Sequence, residues 1–122
     1  MPFQYKNPSP VYRGSQDSYI RAIALLEGRT WEEVYMDICR EALTLAENPQ
    51  IEEVALAYLK RHHPKAECFT GGSTVKDFIA SHPQGRYLLS LGRDWATCVI
   101  DGTLYDARNY INKPMQKFWK LP

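Results

Sequence analysis

Residues 86–106 read RYLLSLGRDWATCVIDGTLYD, and this stretch decides the expected fold. Its segments Tyr87–Leu91 and Ala96–Ile100 are rich in bulky and β-branched residues, which is typical of strands. Asp101-Gly102 follows the second segment and suits a type I′ hairpin turn, because both central residues of that turn must accept positive φ. With Leu104-Tyr105 as a third strand, the stretch predicts an antiparallel meander.

A buried helix is predicted over residues 17–27, where apolar residues occupy nearly every helical face. Asp17 or Ser18 can cap its start, since a short side-chain oxygen accepts a hydrogen bond from the free amides of the first turn. Gly28 ends it, because glycine readily adopts the left-handed conformation found at helix C-termini. We expect this to be the central helix of the fold.

Three more helices are predicted between this helix and the meander. The second begins at Thr30, where Glu33 completes a capping box, and Asn48-Pro49 breaks it. The third covers residues 51–61 and the fourth covers residues 74–80, each with apolar residues at helical spacing. Because helices precede an antiparallel meander, the predicted fold class is α+β, with the helices packed on one face of the sheet.

The chain has 122 residues, a length that fits one compact domain. We expect residues 1–16 to form an extended N-terminal arm, because the prolines in this stretch disfavour helix. Val11 and Tyr12 are expected to pin the arm to the body of the protein. Residues 17–122 are expected to form the domain itself.

Charge and hydropathy argue against several classes of function. Lys plus Arg (15) nearly equals Asp plus Glu (14), so the chain lacks the basic footprint of a nucleic-acid binder. No apolar run approaches the roughly 20 residues that a membrane helix needs. The N-terminal stretch MPFQYKNPSP has no apolar core of a secretory signal. We therefore expect a cytoplasmic protein that binds neither nucleic acid nor membrane.

The cysteines and histidines favour neither a disulfide nor a metal site. Cys39, Cys68 and Cys98 are an odd count without a paired spacing, which is typical of free thiols in a reducing compartment. His62 and His63 are adjacent, whereas the ligands of a zinc site are spaced by a few residues. We expect no metal and no other cofactor.

Several aromatic residues lie outside the helical stripes, in the meander, in predicted loops or in the C-terminal tail. Such residues either fill the core of a small domain or anchor a protein interface. The sequence leaves both roles open for the candidate interaction residues Trp95, Tyr105, Tyr110, Phe118 and Trp119.

Five short motifs follow one another in an order that is more specific than any one of them. They are DSYIRAIA from Asp17, GRTWEEVY from Gly28, TVKDF from Thr74, HPQGRY from His82 and WATCVIDG from Trp95. Together they resemble a group of small single-domain proteins of the papain-like cysteine peptidase fold, common in bacteria, phages and other mobile elements. The resemblance implies an α+β domain whose buried central helix packs on a short antiparallel meander.

The resemblance also implies where catalytic residues would stand. In such a peptidase a cysteine begins the central helix, a histidine on the facing strand is its base, and a polar residue orients the histidine. This chain holds Ser18 at the cysteine position and Trp95 at the histidine position, and Asp106 stands where an orienting carboxylate would be. A serine without a base is not a nucleophile at neutral pH, and indole cannot accept a proton.

These replacements predict a pseudoenzyme that acts by binding another protein. The likeness to mobile-element proteins suggests an inhibitor of a host enzyme or defence complex, for example an anti-CRISPR protein. Two alternatives stay open. One is an active cysteine hydrolase, if Ser18 replaces a native cysteine or if Cys68 pairs with His63 or His82. The other is a phage structural or assembly protein.

Overall fold

The computed structural model describes residues 2–10 and 17–122, which form four helices and six strands. The helices are α1 (Ser18–Glu27), α2 (Trp31–Leu45), α3 (Glu52–His62) and α4 (Val75–Ser81). The strands are β1 (Phe3–Tyr5), β2 (Cys68–Thr70), β3 (Arg86–Gly92), β4 (Trp95–Ile100), β5 (Thr103–Asp106) and β6 (Lys117–Leu121). The four predicted helices are confirmed. The expected contacts of Val11 and Tyr12 lie outside the described residues.

The predicted meander is confirmed as β3, β4 and β5, which pair antiparallel in chain order. The turn between β4 and β5 has positive φ at both Asp101 (48°) and Gly102 (79°). Positive φ at both central residues is what a type I′ turn requires. This part of the fold follows from the local sequence.

The sheet as a whole is larger than the predicted meander, and it is mixed. Its six strands have the order β1-β5-β4-β3-β6-β2. Strand β1, from the expected arm, pairs parallel with β5. Strand β6, from the expected C-terminal tail, pairs antiparallel with both β3 and β2. The prediction of a short, purely antiparallel sheet was wrong because these added strands are short and depend on distant partners.

Helices cover both faces of the sheet, which corrects the prediction that they pack on one face. On one face, α1, α2 and α3 enclose a core that includes Leu88, Ala96 and Trp119. On the other face, Phe78 of α4 packs in a second core with Leu89 and other strand residues. Successive strand residues point to opposite faces, so each strand contributes to both cores.

Helix α1 is the central helix, as predicted, and seven of its ten residues are buried. Gly28 ends it in the left-handed conformation, with φ 68°. The predicted cap at its start was wrong, because the Asp17 side chain makes no capping hydrogen bond and the Ser18 hydroxyl bonds to the sheet. In α2 the capping box of Thr30 and Glu33 is confirmed.

Candidate functional site

Ser18 lies where the central helix meets the sheet. It is the first residue of α1 and is only 6% exposed. Its Oγ accepts a hydrogen bond from the backbone N–H of Ala96 at 3.0 Å and donates to the carbonyl oxygen of Asp94 at 3.4 Å. The prediction that position 18 begins the central helix and faces the strand of Trp95 is confirmed. The hydroxyl both donates and accepts, and both partners are backbone atoms.

Trp95 stands between those two backbone partners, but its side chain lies on the other face of the sheet. Ala96 belongs to the core under α1, whereas Trp95 packs against the core under α4. The indole is half-buried and meets Tyr110 edge-on, with 5.1 Å between the ring centroids. The Lys113 ammonium lies 5.5 Å from the indole centroid. The structure therefore does not bring the side chains of Ser18 and Trp95 together.

The Asp106 carboxyl group is buried at the end of β5. It accepts hydrogen bonds from the Thr97 hydroxyl at 2.7 Å and from the backbone N–H of Ala107 at 2.6 Å, and the Arg21 guanidinium lies 3.5 Å away. Burial raises the pKa of this carboxyl above its usual value, although Thr97 and Arg21 act in the opposite direction. Among the described residues no imidazole contacts it, so Asp106 links β4, β5 and α1 and orients no base.

Asp106 belongs to a buried polar network that sequence reasoning missed. Arg21 joins it to Asp17, whose Oδ1 accepts a hydrogen bond from Arg21 at 2.8 Å. Asp17 Oδ2 accepts a second one from Trp31 Nε1 at 2.9 Å. The spacing of Asp17 and Arg21, four residues apart at the start of a helix, was the available signal. The contacts to Asp106 and Trp31 depend on the tertiary fold.

No cysteine is hydrogen-bonded to a histidine in the part of the chain that the structure describes. Cys98 is buried, and burial raises the pKa of its thiol to about 12. His82 stacks on Phe78, with 4.1 Å between the ring centroids. Cys68 is exposed and lines a cavity of about 230 Å³ together with His63. The nucleophile–base pair that a cysteine hydrolase requires is therefore not assembled at these positions.

The His63 imidazole, at the C-terminal end of α3, contacts a carboxylate of α1. Its Nε2 lies 2.6 Å from Glu27 Oε2 at the end of α1. The same carboxylate accepts a hydrogen bond from the Tyr58 hydroxyl at 2.8 Å. Burial and this hydrogen bond raise the pKa of Tyr58. The cluster ties the C-terminal ends of α1 and α3 together.

The candidate interaction residues differ in exposure. Trp119 is 6% exposed and Tyr110 is 9% exposed, so neither is available as a surface anchor. Trp119 was expected in a tail, but it lies in β6 and packs in the core under α1. Tyr105 is half-buried, with the Lys6 ammonium 6.0 Å from its ring centroid.

Phe118 is half-buried and contacts an exposed aromatic residue, Phe69, that sequence reasoning missed. Its ring stacks on Phe69 of β2, with 5.2 Å between the centroids. Phe69 is 44% exposed, which places a large apolar side chain on the surface at the edge of the sheet. Its only sequence signal was a bulky apolar residue before Gly71-Gly72, in a stretch with neither helical nor strand periodicity.

Residues 2–10 and 17–122 contain neither a metal-binding cluster nor a membrane-spanning helix. No group of three or more His, Cys, Asp or Glu side chains there could hold a metal ion. No helix in these ranges is long and apolar enough to cross a bilayer. No family model matches the chain, and no curated protein or solved structure matches it either.

Proposed function

We propose that this chain is a catalytically inactive, papain-like domain that acts by binding another protein. The observation that supports the inactive state best is the placement of Ser18 and Trp95 on opposite faces of the sheet. Nucleophilic catalysis requires a nucleophile and a base within hydrogen-bond reach. Here the Ser18 hydroxyl is committed to backbone atoms of the sheet.

The papain-like part of the proposal rests on the sequence resemblance. Two structural features agree with it, because α1 begins at Ser18 and this helix packs on the strand that holds Trp95. One feature does not agree with it, because the side chain at the histidine position, Trp95, lies on the other face of the sheet from Ser18. The resemblance to mobile-element proteins favours one form of binding, the inhibition of a host enzyme or defence complex, as by an anti-CRISPR protein. Such an inhibitor needs a rigid surface and no reactive group.

Trp95 is the residue that we assign to partner contact. Its indole is half-buried, and tryptophan is enriched among the residues that dominate interface energies. The exposed Lys113 places one cationic side chain beside it. A basic group next to an aromatic anchor is complementary to an acidic surface on the partner.

The binding role is tested by affinity capture from bacterial lysate with the wild type, Trp95→Ala and Leu43→Ala. Leu43 is the matched control because its side chain is 83% exposed on α2. We expect the wild type and Leu43→Ala to capture the same protein in a fixed ratio. Trp95→Ala should bind it roughly 30-fold more weakly, the loss of an interface anchor worth about 2 kcal/mol.

The free energy of unfolding of Trp95→Ala distinguishes an interface role for Trp95 from a role in filling the core. If Trp95 only fills the core, Trp95→Ala opens a cavity and lowers the free energy of unfolding by about 3–5 kcal/mol. Unchanged affinity of the folded fraction, together with such a loss, would reject the assignment of Trp95 to the interface. Large ordered particles of the wild type in sedimentation would favour the phage assembly alternative.

A second experiment uses Ser18→Cys to test whether the domain is catalytically inactive. We expect neither this variant nor the wild type to hydrolyse peptide, amide or ester substrates, because no base among the described residues contacts Ser18. Thiol-directed electrophiles should not label the introduced thiol quickly. The cysteine hydrolase alternative would be supported by wild-type turnover that is lost in both Cys68→Ser and His63→Gln, since these two residues line one cavity.

A further inference from the structure

Strand β2 forms one edge of the sheet, beyond β6. All three of its residues, Cys68–Thr70, are exposed. An edge strand offers unpaired backbone N–H and C=O groups to any further strand of matching register. Proteins commonly block such edges with lysine or proline, but Cys68–Gly72 contains neither.

The register of β2 shows which backbone groups point outward. Cys68, Phe69 and Thr70 lie opposite Trp119, Phe118 and Lys117 of β6. One step further along the same register, the Gly71 N–H donates to the Gln116 carbonyl at 2.9 Å.

In an antiparallel ladder, hydrogen-bonded and non-hydrogen-bonded positions alternate. Because Gly71 is hydrogen-bonded to the β6 side, Phe69 is too. Cys68 and Thr70 therefore direct their N–H and C=O groups away from the sheet. No described residue is hydrogen-bonded to these outward groups.

These outward groups are complementary to a second copy of themselves. When two β2 strands lie antiparallel about a two-fold axis at Phe69, Cys68 of each copy faces Thr70 of the other. Both pairs are then in the hydrogen-bonded arrangement, which gives four main-chain hydrogen bonds across the axis. A self-complementary patch of this kind is what a two-fold symmetric dimer requires.

The side chains at this edge fit the same arrangement. Phe69 meets Phe69 of the second copy in a close, non-hydrogen-bonded pair, where aromatic side chains interact favourably. Each ring already stacks on Phe118 of its own chain, so the aromatic contact continues across the axis. Glu67 falls opposite Gly71 of the other copy, and no like charges are placed face to face.

We propose that the chain forms a symmetric dimer in which β2 pairs with β2 of a second copy and the two sheets become continuous. The pairing goes beyond the proposed function, since β3 and β6 lie between β2 and the strand of Trp95. Because each copy contributes only the three residues of β2, the association is weak, and the dimer forms only at high protein concentration.

Sedimentation equilibrium with surface variants tests whether the dimer uses this edge. Thr70→Pro removes an outward N–H that the internal ladder does not use, and Phe69→Glu places two carboxylates opposite each other. We expect each variant to weaken self-association by roughly 10-fold or more, since hydrogen bonds or an aromatic pair are lost. Leu43→Glu, at an exposed position of α2, is the control and should behave as the wild type. Circular dichroism checks that each variant is folded.

Disulfide trapping tests the register itself. A hydrogen-bonded antiparallel pair has Cα atoms about 5.5 Å apart, which a disulfide can bridge. Mild oxidation should therefore join Cys68 to the introduced thiol of Thr70→Cys in a second copy. Ser73→Cys, three residues further along, should not cross-link. A wild type that remains monomeric at high concentration, or a dimer that survives both Phe69→Glu and Thr70→Pro, would overturn the proposal.

Discussion

Ser18 is a buried polar residue whose contacts are structural. The backbone N–H of Ala96 is in the core, and Ala96 is 0% exposed. A buried N–H without an acceptor is costly, and the Ser18 hydroxyl supplies that acceptor. At this position the sequence favoured a helix cap or a vestigial nucleophile, and the structure shows a link between a helix and a strand.

We expect Ser18→Ala to lower the free energy of unfolding by about 1–3 kcal/mol, because the N–H of Ala96 would lose its acceptor inside the core. Urea denaturation measures the loss. Ser73→Ala is the control, since Ser73 is exposed. Equal stability of the two variants would show that the bond from Ala96 to Ser18 contributes nothing.

Among the elements, β6 departs furthest from its expected structure. Its residues Lys117–Leu121 alternate between the two cores, with Trp119 and Leu121 on one face and Phe118 on the other. A five-residue segment near the end of a chain is too short for its side-chain pattern to distinguish a strand from a loop. The strand forms because β3 and β2 pair with it on its two sides.

Trp119→Ala should lower the free energy of unfolding by about 3–5 kcal/mol, because a buried indole would leave a cavity under α1 and α3. Denaturant titration measures this effect, and exposed Lys120→Ala is the neighbouring control. A loss below about 1 kcal/mol would mean that Trp119 behaves as the surface anchor once expected in a tail.

For the molecule as a whole, the network of Asp17, Arg21 and Asp106 connects elements that are distant in sequence. It joins the start of α1 to the end of β5, and through Trp31 to the start of α2. The resemblance places Asp106 where the orienting carboxylate of a peptidase would stand, in a chain expected to have no catalytic base. The Asp106 carboxyl group instead holds strands and a helix together, and this role makes stability depend on pH.

Burial raises the folded-state pKa of Asp106 above its ordinary value of 3.8. The folded state therefore binds the proton more tightly than the unfolded state, and this contribution to stability is lost as pH rises through the folded-state pKa. We expect the free energy of unfolding of the wild type, minus that of Asp106→Asn, to fall as pH rises above about 4. Urea titrations at successive pH values measure it. A difference that rises with pH would contradict the burial argument.

The sequence by itself determined the four helices, the left-handed end of α1 at Gly28, the capping box at Thr30 and the turn at Asp101-Gly102. Each of these depends on hydrogen bonds and φ preferences among residues a few positions apart. It also located Ser18 at the start of α1, because the apolar run of that helix begins there.

Only the tertiary structure decided which strands β1, β2 and β6 pair with, and which face of the sheet each side chain occupies. Strand pairing joins residues far apart in sequence, so no local pattern contains it. Ala96 and Trp95 are adjacent, yet the pleat directs one toward α1 and the other toward α4. The aligned motifs assign Ser18 and Trp95 to one catalytic site. The alternation of side chains along β4 instead places the sheet between the side chains of these two residues.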